Sequence, residues 1–262
     1  MESSDNIHFI ELGLDREAAK QPENDGTVFW GHGWGQNHKS FLSWAQRFSG
    51  KSRHILIDFP GFGESPVPNE VWGTDDYAAA CAELIRKQCD EPIIWVGHSF
   101  GCRVGLQLAA RYPELIKGIV LVAGAGLPRK RPLWHKIYYG ARVKLFKALK
   151  KLIPLGLSQE WLYTKFGSAD YKSSGALRQI FVKVVNEDLS TLAATINCPT
   201  LLIYGEKDTE TPPEIGMRLN KLIENSDLIV LNGFDHYTLL STGQHQAAPL
   251  LGKFINSVKK AS

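Results

Sequence analysis

Seven short apolar runs decide the fold class of this 262-residue chain more than any other feature of its sequence. They are rich in Ile, Val and Leu and mostly lack polar alternation, which favours strands covered on both faces of a mainly parallel sheet. The predicted strands are 7–12, 27–30, 54–59, 93–97, 118–123, 200–204 and 228–231.

Helical patterns separate these runs. Thr74 is a suitable N-cap for the first of them, because a threonine hydroxyl can accept a hydrogen bond from the first turn. Alternating strands and helices indicate a doubly wound α/β sheet. The predicted helices are 75–88, 100–112, 213–223 and 246–258.

The alternation is interrupted once, by about 75 strand-free residues between the fifth and sixth strands. A connection of that length is too long for a structureless loop, so we expect it to form helices of its own. We therefore predict a core domain of residues 1–126 and 190–262. Residues 127–189 are predicted to form a helical cap over the sheet.

The fourth predicted strand runs directly into the sequence GHSFG at 97–101 and then into a helix. This is the G-x-S-x-G pattern in the strand–turn–helix context that gives it meaning. Gly97 and Gly101 permit a turn in which larger side chains would collide with the backbone. Ser99 is thereby raised above the sheet at a helix N-terminus, where negative charge is stabilised. We predict that Ser99 is a nucleophile.

A glycine-rich loop, Gly31 to Gly35, follows the second predicted strand. The tetrahedral intermediate of acyl transfer carries an alkoxide that needs two converging donors. The backbone N–H groups of Trp34 and Phe100 are predicted to supply them as an oxyanion hole. His32 is expected to order the loop by hydrogen bonding rather than to act as a base.

An acid and a histidine follow the last two predicted strands. Asp208 lies just beyond strand 200–204, and His236 lies in the loop after strand 228–231. With Ser99 they stand in the chain order Ser, Asp, His, each after a separate strand. The predicted catalytic triad is therefore Ser99, Asp208 and His236, in which His236 moves the proton and Asp208 orients the imidazole.

Three other polar residues lie near these positions. Asp235 adjoins His236, but consecutive side chains rarely meet in the geometry a triad needs, so we expect a structural role. Glu206 precedes Asp208 by two residues and is expected to point elsewhere. His98 is expected to pack beside the nucleophile rather than to activate it.

Together these stretches resemble the α/β-hydrolase superfamily, in its serine carboxylesterase-like branch with a helical cap. The motifs are HGWG at 32–35, DFPGFGES at 58–65, GHSFG at 97–101, CPTLLIYGEKD at 198–208 and FDHYTL at 234–239. The resemblance implies an esterase-like enzyme with neither cofactor nor metal. Within the superfamily the pattern is similar to carboxylesterases acting on pimeloyl-carrier-protein methyl esters and to meta-cleavage C–C hydrolases. In that esterase branch Trp often precedes the serine, where this chain has His98.

A hydroxyl nucleophile favours acyl transfer. Relatives that place Asp at this position, the haloalkane dehalogenases and epoxide hydrolases, form an alkyl-ester intermediate instead. We predict a serine hydrolase that cleaves carboxylic esters, or thioesters, of a small acyl substrate through an acyl-enzyme on Ser99. Two alternatives are C–C bond hydrolysis of a vinylogous diketone acid and a non-catalytic, ligand-binding role.

Nine Lys or Arg and no acid lie between Arg129 and Lys151, whereas the rest of the chain is net acidic. Apolar positions recur there at helical spacing, which indicates a basic amphipathic cap helix. Such a helix can simply pack on the core and solvate its charges. It could also attract an acidic carrier protein or an anionic surface. Without a recognition motif, nucleic-acid binding is disfavoured.

The predicted cap is also rich in aromatic residues, which can line an apolar pocket between cap and sheet or form a core of the cap itself. They are Trp134, Tyr138, Tyr139, Trp161, Tyr163 and Phe166.

The chain begins with polar residues, and no apolar run approaches the length of about 18 residues that a membrane span needs. Its four cysteines lack metal-ligand spacing and are expected to be reduced. These features predict a cytoplasmic protein without a membrane span.

Overall fold

The computed structural model describes residues 7–21, 23–130, 140–141, 144–146, 148–151, 153–155, 158 and 174–260. A seven-stranded sheet forms its centre, in the order β1-β3-β2-β4-β5-β6-β7. β1 is antiparallel to β3, and every other neighbouring pair is parallel. The strands are β1 (Phe9–Gly13), β2 (Thr27–Gly31), β3 (Arg53–Ile57), β4 (Ile93–His98), β5 (Ile116–Val122), β6 (Thr200–Gly205) and β7 (Ser226–Leu231).

All seven predicted strands are thus confirmed, with ends that differ by no more than two residues. The interior strands β3, β4 and β6 are buried at every position. That burial accounts for their continuous apolar sequences, because a parallel strand with helices on both faces has no solvated side.

Eight α-helices have described bounds. They are α1 (Arg16–Ala19), α2 (Leu42–Gln46), α3 (Thr74–Gln88), α4 (Phe100–Arg111), α5 (Arg178–Asn186), α6 (Ser190–Ala193), α7 (Pro213–Leu222) and α8 (Gln244–Lys260). The four helices predicted with bounds are present as α3, α4, α7 and α8. α5 lies within the segment predicted to be helical, and the short helices α1, α2 and α6 were not predicted.

The predicted N-cap of α3 was wrong by one residue. Gly73 occupies the cap position, and its N–H donates to the Asp76 carboxylate at 2.7 Å. Thr74 is instead the first helical residue, and its hydroxyl donates to the Glu187 carboxylate. A long-range partner at the end of α5 therefore draws the threonine side chain away from its own helix.

Alternate residues of the strands belong to two apolar cores, one on each face of the sheet. On one face, Phe29, Ile55 and Trp95 pack with α3, α4, α6 and α7. On the other face, Trp30 and Val96 pack with α2 and α8. Both faces are covered, as a doubly wound sheet requires, and the carboxyl ends of β2, β4, β6 and β7 meet at one edge.

The predicted cap lies partly outside the described residues. Its described portion includes helical residues within 140–150, a 3₁₀ turn at Ile153–Leu155, and α5. Ile180 and Val184 of α5 are buried in the core on the α3 and α4 face. All six cap aromatics and four of the nine basic residues lie outside the described ranges. The division into core 1–126 and 190–262 and cap 127–189 stays a prediction.

None of the helices within the described ranges combines the length and the apolar character that crossing a bilayer demands. The four cysteines are free thiols.

Candidate active site

The turn between β4 and α4, which we call the elbow (residues 97–101), holds Ser99 in a strained backbone conformation. Its φ is +49° and its ψ is −102°, in a region that non-glycine residues rarely adopt. A Cβ on Gly97 would lie 2.5 Å from the carbonyl oxygen of Gly101. A Cβ on Gly101 would collide with the carbonyl oxygen of Gly31 at the end of β2. Glycines at both positions therefore allow the turn to close against the sheet.

Asp208 and His236 meet across the ends of β6 and β7. His236 Nδ1 lies 2.8 Å from Asp208 Oδ2, and both residues are buried. Because a carboxylate can only accept, Nδ1 carries the proton and Nε2 is the free acceptor of the ring. The second oxygen, Oδ1, accepts the N–H groups of Glu210 and Thr211, each at 2.8 Å. The acid is thus fixed from both sides.

Thr211 also contacts this pair, and sequence reasoning missed it. Its hydroxyl oxygen lies 2.9 Å from the carbonyl oxygen of Ala123, 3.0 Å from Asp208 Oδ2 and 3.1 Å from His236 Nδ1. A threonine three residues after an acid is too common a pattern to have identified it. The contact depends on the turn after β6, which folds back over the carboxylate.

The two neighbouring acids hold turns, in agreement with prediction. Asp235 accepts the N–H groups of Tyr237 and Thr238 and the Thr238 hydroxyl, and so shapes the turn that carries His236. Glu206 accepts the N–H of Gly233 at 3.1 Å.

His32 has the loop-ordering role that the sequence predicts. Its Nε2 accepts the N–H of Phe59 at 3.0 Å, so its Nδ1 donates to the carbonyl oxygen of Gly33 at 2.7 Å. Burial lowers the pKa of His32 to about 4, which leaves the ring neutral at neutral pH.

His98 packs beside the nucleophile and against His236. The centroids of the two imidazoles are 4.8 Å apart, and His98 Nε2 donates to the backbone oxygen of His236 at 3.2 Å. Burial, with a further contribution from His236, lowers the pKa of His98 to about 3. A neutral His98 supports the backbone of His236 and does not take up the proton that His236 is predicted to move.

The loop after β2 reaches the start of α4. The N–H of Gly101 donates to the carbonyl oxygen of His32 at 3.1 Å, which joins the loop to the helix. The Trp34 indole packs against Phe62, Phe100 and Phe181. Phe100 is the first residue of α4, so the helix itself does not use its N–H. The oxyanion role of the Trp34 and Phe100 amides stays a prediction.

A cavity of about 580 Å³ connects these elements. Its lining includes Ser99 and His236, the aromatic residues Trp34 and Phe181, and Arg103. Ser99 and His236 therefore face a common space, and Asp208 lies behind His236. The volume is that of an ordinary small-molecule site.

A second cluster of titratable groups, His8, His38 and Asp58, has metal-ligand types, and its ligand atoms lie within 4.8 Å of one another. Both imidazoles donate from Nδ1 to the Asp58 carboxylate, at 2.9 and 3.0 Å. Burial raises the pKa of Asp58, but N–H donors from Glu64 and His38 and the two imidazoles together lower it to about 2. These bonds account for the cluster as a structural network that anchors the turn after β3.

Comparisons with known proteins agree with the fold described above. A profile of the α/β hydrolase fold matches residues 27–153. The pimeloyl-[acyl-carrier protein] methyl ester esterase of Neisseria meningitidis serogroup B is 29% identical over 89% of this chain and 94% of its own length. The enzyme of the same name from Yersinia pestis is 24% identical over 91% and 96%.

Solved structures share the architecture. An esterase from Thermogutta terrifontis superposes with a TM-score of 0.70 at 18% identity, covering 97% of this chain and 94% of its own. An esterase from Exiguobacterium antarcticum has a TM-score of 0.71 at 20% identity, covering 95% of each chain. At these identities the superpositions establish the fold.

Proposed function

We propose that this chain is a serine-type carboxylic ester hydrolase of the α/β-hydrolase superfamily and that Ser99, His236 and Asp208 are its catalytic triad. The main support for the proposal is the buried 2.8 Å hydrogen bond from His236 to Asp208, because His236 lines the same cavity as the strained Ser99. A histidine oriented in this way presents Nε2 as a base.

The proposed reaction has two steps. His236 Nε2 takes the proton of Ser99 Oγ as that oxygen attacks the ester carbonyl carbon. The N–H groups of Trp34 and Phe100 stabilise the resulting alkoxide. Collapse breaks the bond to the leaving alkoxyl oxygen, which takes the proton from His236, and an acyl-enzyme remains on Ser99. Water, deprotonated by His236, then attacks this ester, and collapse of the second intermediate returns the proton to Ser99 and releases the acid.

The natural substrate we propose is an acyl ester carried on an acidic carrier protein. Relatives over most of this chain are named as methyl ester esterases of a pimeloyl-carrier protein. The segment from Arg129 to Lys151 supplies the complementary charge, and Lys144 and Lys150 are two of its four described lysines, all exposed. Positive charge on the side of the cap would attract an acidic carrier and speed its association.

Charge reversal tests the carrier proposal. The double variant Lys144→Glu and Lys150→Glu is expected to lower kcat/KM for a carrier-linked methyl ester several-fold at low salt, because attraction turns into repulsion. Turnover of a free p-nitrophenyl ester should be unchanged. The matched control reverses Lys51 and Lys253, which are exposed elsewhere. Equal rates with the carrier substrate in all three proteins would argue against docking on this segment.

The triad is tested with p-nitrophenyl esters and a fluorophosphonate probe. We expect Ser99→Ala to lose both ester turnover and covalent labelling while staying folded, because the hydroxyl contributes chemistry and little packing. Asp208→Asn should lower turnover by a factor on the order of 10⁴, since the histidine loses its orienting partner.

The neighbouring Asp235→Asn is the matched control, with an unchanged mechanism and at most a stability loss. Turnover by Ser99→Ala equal to that of the parent enzyme would contradict a serine mechanism. Near-parental turnover by Asp208→Asn would show that another acid orients the His236 imidazole.

A further inference from the structure

Gln36 lines the active-site cavity and has no role in the proposed triad. It is the last residue of the turn that follows β2, from Gly33 to Gln36. Gly35 occupies the third position of that turn with a φ of +73°, which glycine adopts without strain. The backbone N–H of Gln36 closes the turn by donating to the carbonyl oxygen of Gly33 at 3.2 Å.

The Gln36 side chain bonds to the same residue as its backbone does. The N–H of Gly33 donates to Gln36 Oε1 at 2.9 Å, and because an N–H can only donate, the oxygen end of the amide faces it. His98 Nδ1 lies 3.2 Å from the same oxygen, but the neutral ring uses its single N–H on the backbone of His236. A Cβ on Gly33 would lie 2.9 Å from Gln36 Oε1 and 2.6 Å from His98 Nδ1. Glycine at position 33 therefore lets the amide approach the backbone.

These bonds fix both peptide groups that flank Gly33. In the peptide before it, the His32 carbonyl oxygen accepts the N–H of Gly101 at 3.1 Å, and the N–H donates to Gln36. In the peptide after it, the Gly33 carbonyl oxygen accepts His32 Nδ1 at 2.7 Å as well as the N–H of Gln36. Three of the four polar groups thus have partners. Within the described ranges the fourth, the N–H of Trp34, donates to no acceptor.

The direction of the Trp34 N–H follows from the planarity of the peptide. In a trans peptide the N–H points opposite to the carbonyl, and the carbonyl of Gly33 is directed at the buried His32 ring and the N–H of Gln36. The Trp34 N–H is therefore held away from those two donors, on a residue that lines the cavity. A donor fixed before the reaction needs no reorganisation when negative charge develops.

We infer that the Gln36 side chain is a positioning residue, which holds the Gly33 backbone so that the Trp34 N–H meets the alkoxide of the tetrahedral intermediate. The inference rests on the proposed function for the alkoxide itself. Glycine has the largest backbone freedom of any residue, so a loop that depends on Gly33 needs an outside restraint to keep one conformation. His32 restrains the peptide after Gly33, and Gln36 adds the restraint on the peptide before it.

Kinetics of Gln36→Met test this role, because methionine keeps the length of the side chain and removes the acceptor. We expect kcat for p-nitrophenyl butyrate to fall roughly 10- to 30-fold with KM nearly unchanged, a part of the 10²- to 10³-fold loss that follows removal of a whole oxyanion donor. The matched control, Gln46→Met, makes the same change at an exposed position at the end of α2 and should keep both constants.

A trifluoromethyl ketone inhibitor separates positioning from a general structural role. Ser99 Oγ adds to the ketone carbon, its proton passes to His236, and the carbonyl oxygen becomes an alkoxide that mimics the intermediate. The inhibition constant should rise in Gln36→Met by about the factor by which kcat falls, because both depend on the same N–H. An inhibition constant equal to that of the parent enzyme would overturn the inference, whatever the change in kcat.

Amide exchange of Gly33, followed by NMR on the free protein, separates this inference from the proposed function. Exchange should be at least tenfold faster in Gln36→Met than in the parent protein, and it should stay slow in Gln36→Glu, which keeps an acceptor at the same reach. If the parent protein turns over no ester, the proposed function fails while the exchange rates still decide whether Gln36 holds the loop. Equal exchange in the parent protein and in Gln36→Met would overturn the inference even where ester turnover is intact.

Discussion

Backbone strain in this chain is concentrated beside the candidate site. Among the described non-glycine residues, Ser99 and Ala123 have positive φ, at +49° and +48°. They follow the neighbouring strands β4 and β5, and the carbonyl oxygen of Ala123 contacts the hydroxyl of Thr211. Each such conformation costs about 1–3 kcal/mol and persists only where the surrounding structure enforces it. The strain therefore indicates that this edge of the sheet is arranged for a reaction rather than for maximum stability.

Thr211 is predicted to be a positioning residue for the triad. Thr211→Val removes the hydroxyl that contacts Asp208 and His236 while keeping the volume of the side chain. Because a hydrogen bond to a charged group contributes about 1.5–3 kcal/mol, we expect kcat to fall about tenfold or more, with KM nearly unchanged. Steady-state kinetics on p-nitrophenyl esters measure both constants.

Two further variants separate positioning from packing. Thr211→Ser keeps the hydroxyl and should recover most of kcat. Thr195→Val removes an exposed threonine hydroxyl that contacts only the local backbone, and should leave both constants at their parental values. A kcat in Thr211→Val equal to that of Thr211→Ser would mean that the hydroxyl does not position the pair.

The helix α4 explains how one element assembles most of the candidate site. The helix itself does not use the N–H of its first residue, Phe100, and the second residue, Gly101, lets the helix contact the end of β2. One turn later Arg103 faces the cavity, and Gln107 then donates to Thr74 of α3 at 2.9 Å. The predicted nucleophile and the loop after β2 are thus held in a fixed relation by a single rigid helix.

The sequence could predict this arrangement to the level of strands, long helices and strand-end residues. Strand burial and helical periodicity are local signals, so all seven strands and the four longer helices α3, α4, α7 and α8 were identified. Helices of four or five residues, such as α1 and α2, are too short to show a period.

The contacts that could not be predicted join distant parts of the chain. Thr74 reaches Glu187, 113 residues away, and Arg103 reaches the backbone of the same residue, 84 positions along. Thr211 reaches His236 only because β6 and β7 pair in register. No local pattern encodes such tertiary partners, whereas the strand ends carrying Ser99, Asp208 and His236 follow from the topology of a parallel sheet.

Buried neutral histidines should make the stability of the entire protein depend on pH. Burial lowers the pKa of His32 and His54 to about 4 and that of His98 to about 3. An unfolded histidine has a pKa near 6.5, so the unfolded chain binds more protons as the pH falls below that value. The stabilisation is complete above pH 6.5, declines as the pH falls towards 4, and is lost for His98 only near pH 3.

His54 is the best place to test this dependence, because it lies in the core away from the proposed triad. Trp30 donates its indole N–H to His54 Nδ1 at 3.1 Å, which holds the ring neutral. We expect the urea midpoint of the parent protein to fall between pH 7 and pH 4.5. Over that interval the free energy of unfolding of His54→Gln should fall by less than that of the parent protein, with a difference of up to about 3 kcal/mol. His245→Gln, at an exposed position, is the matched control and should keep the parental pH dependence. Identical slopes in the parent and in His54→Gln would mean that His54 does not resist protonation in the folded protein, and that the acid sensitivity arises at His32 and His98, beside the active-site cavity.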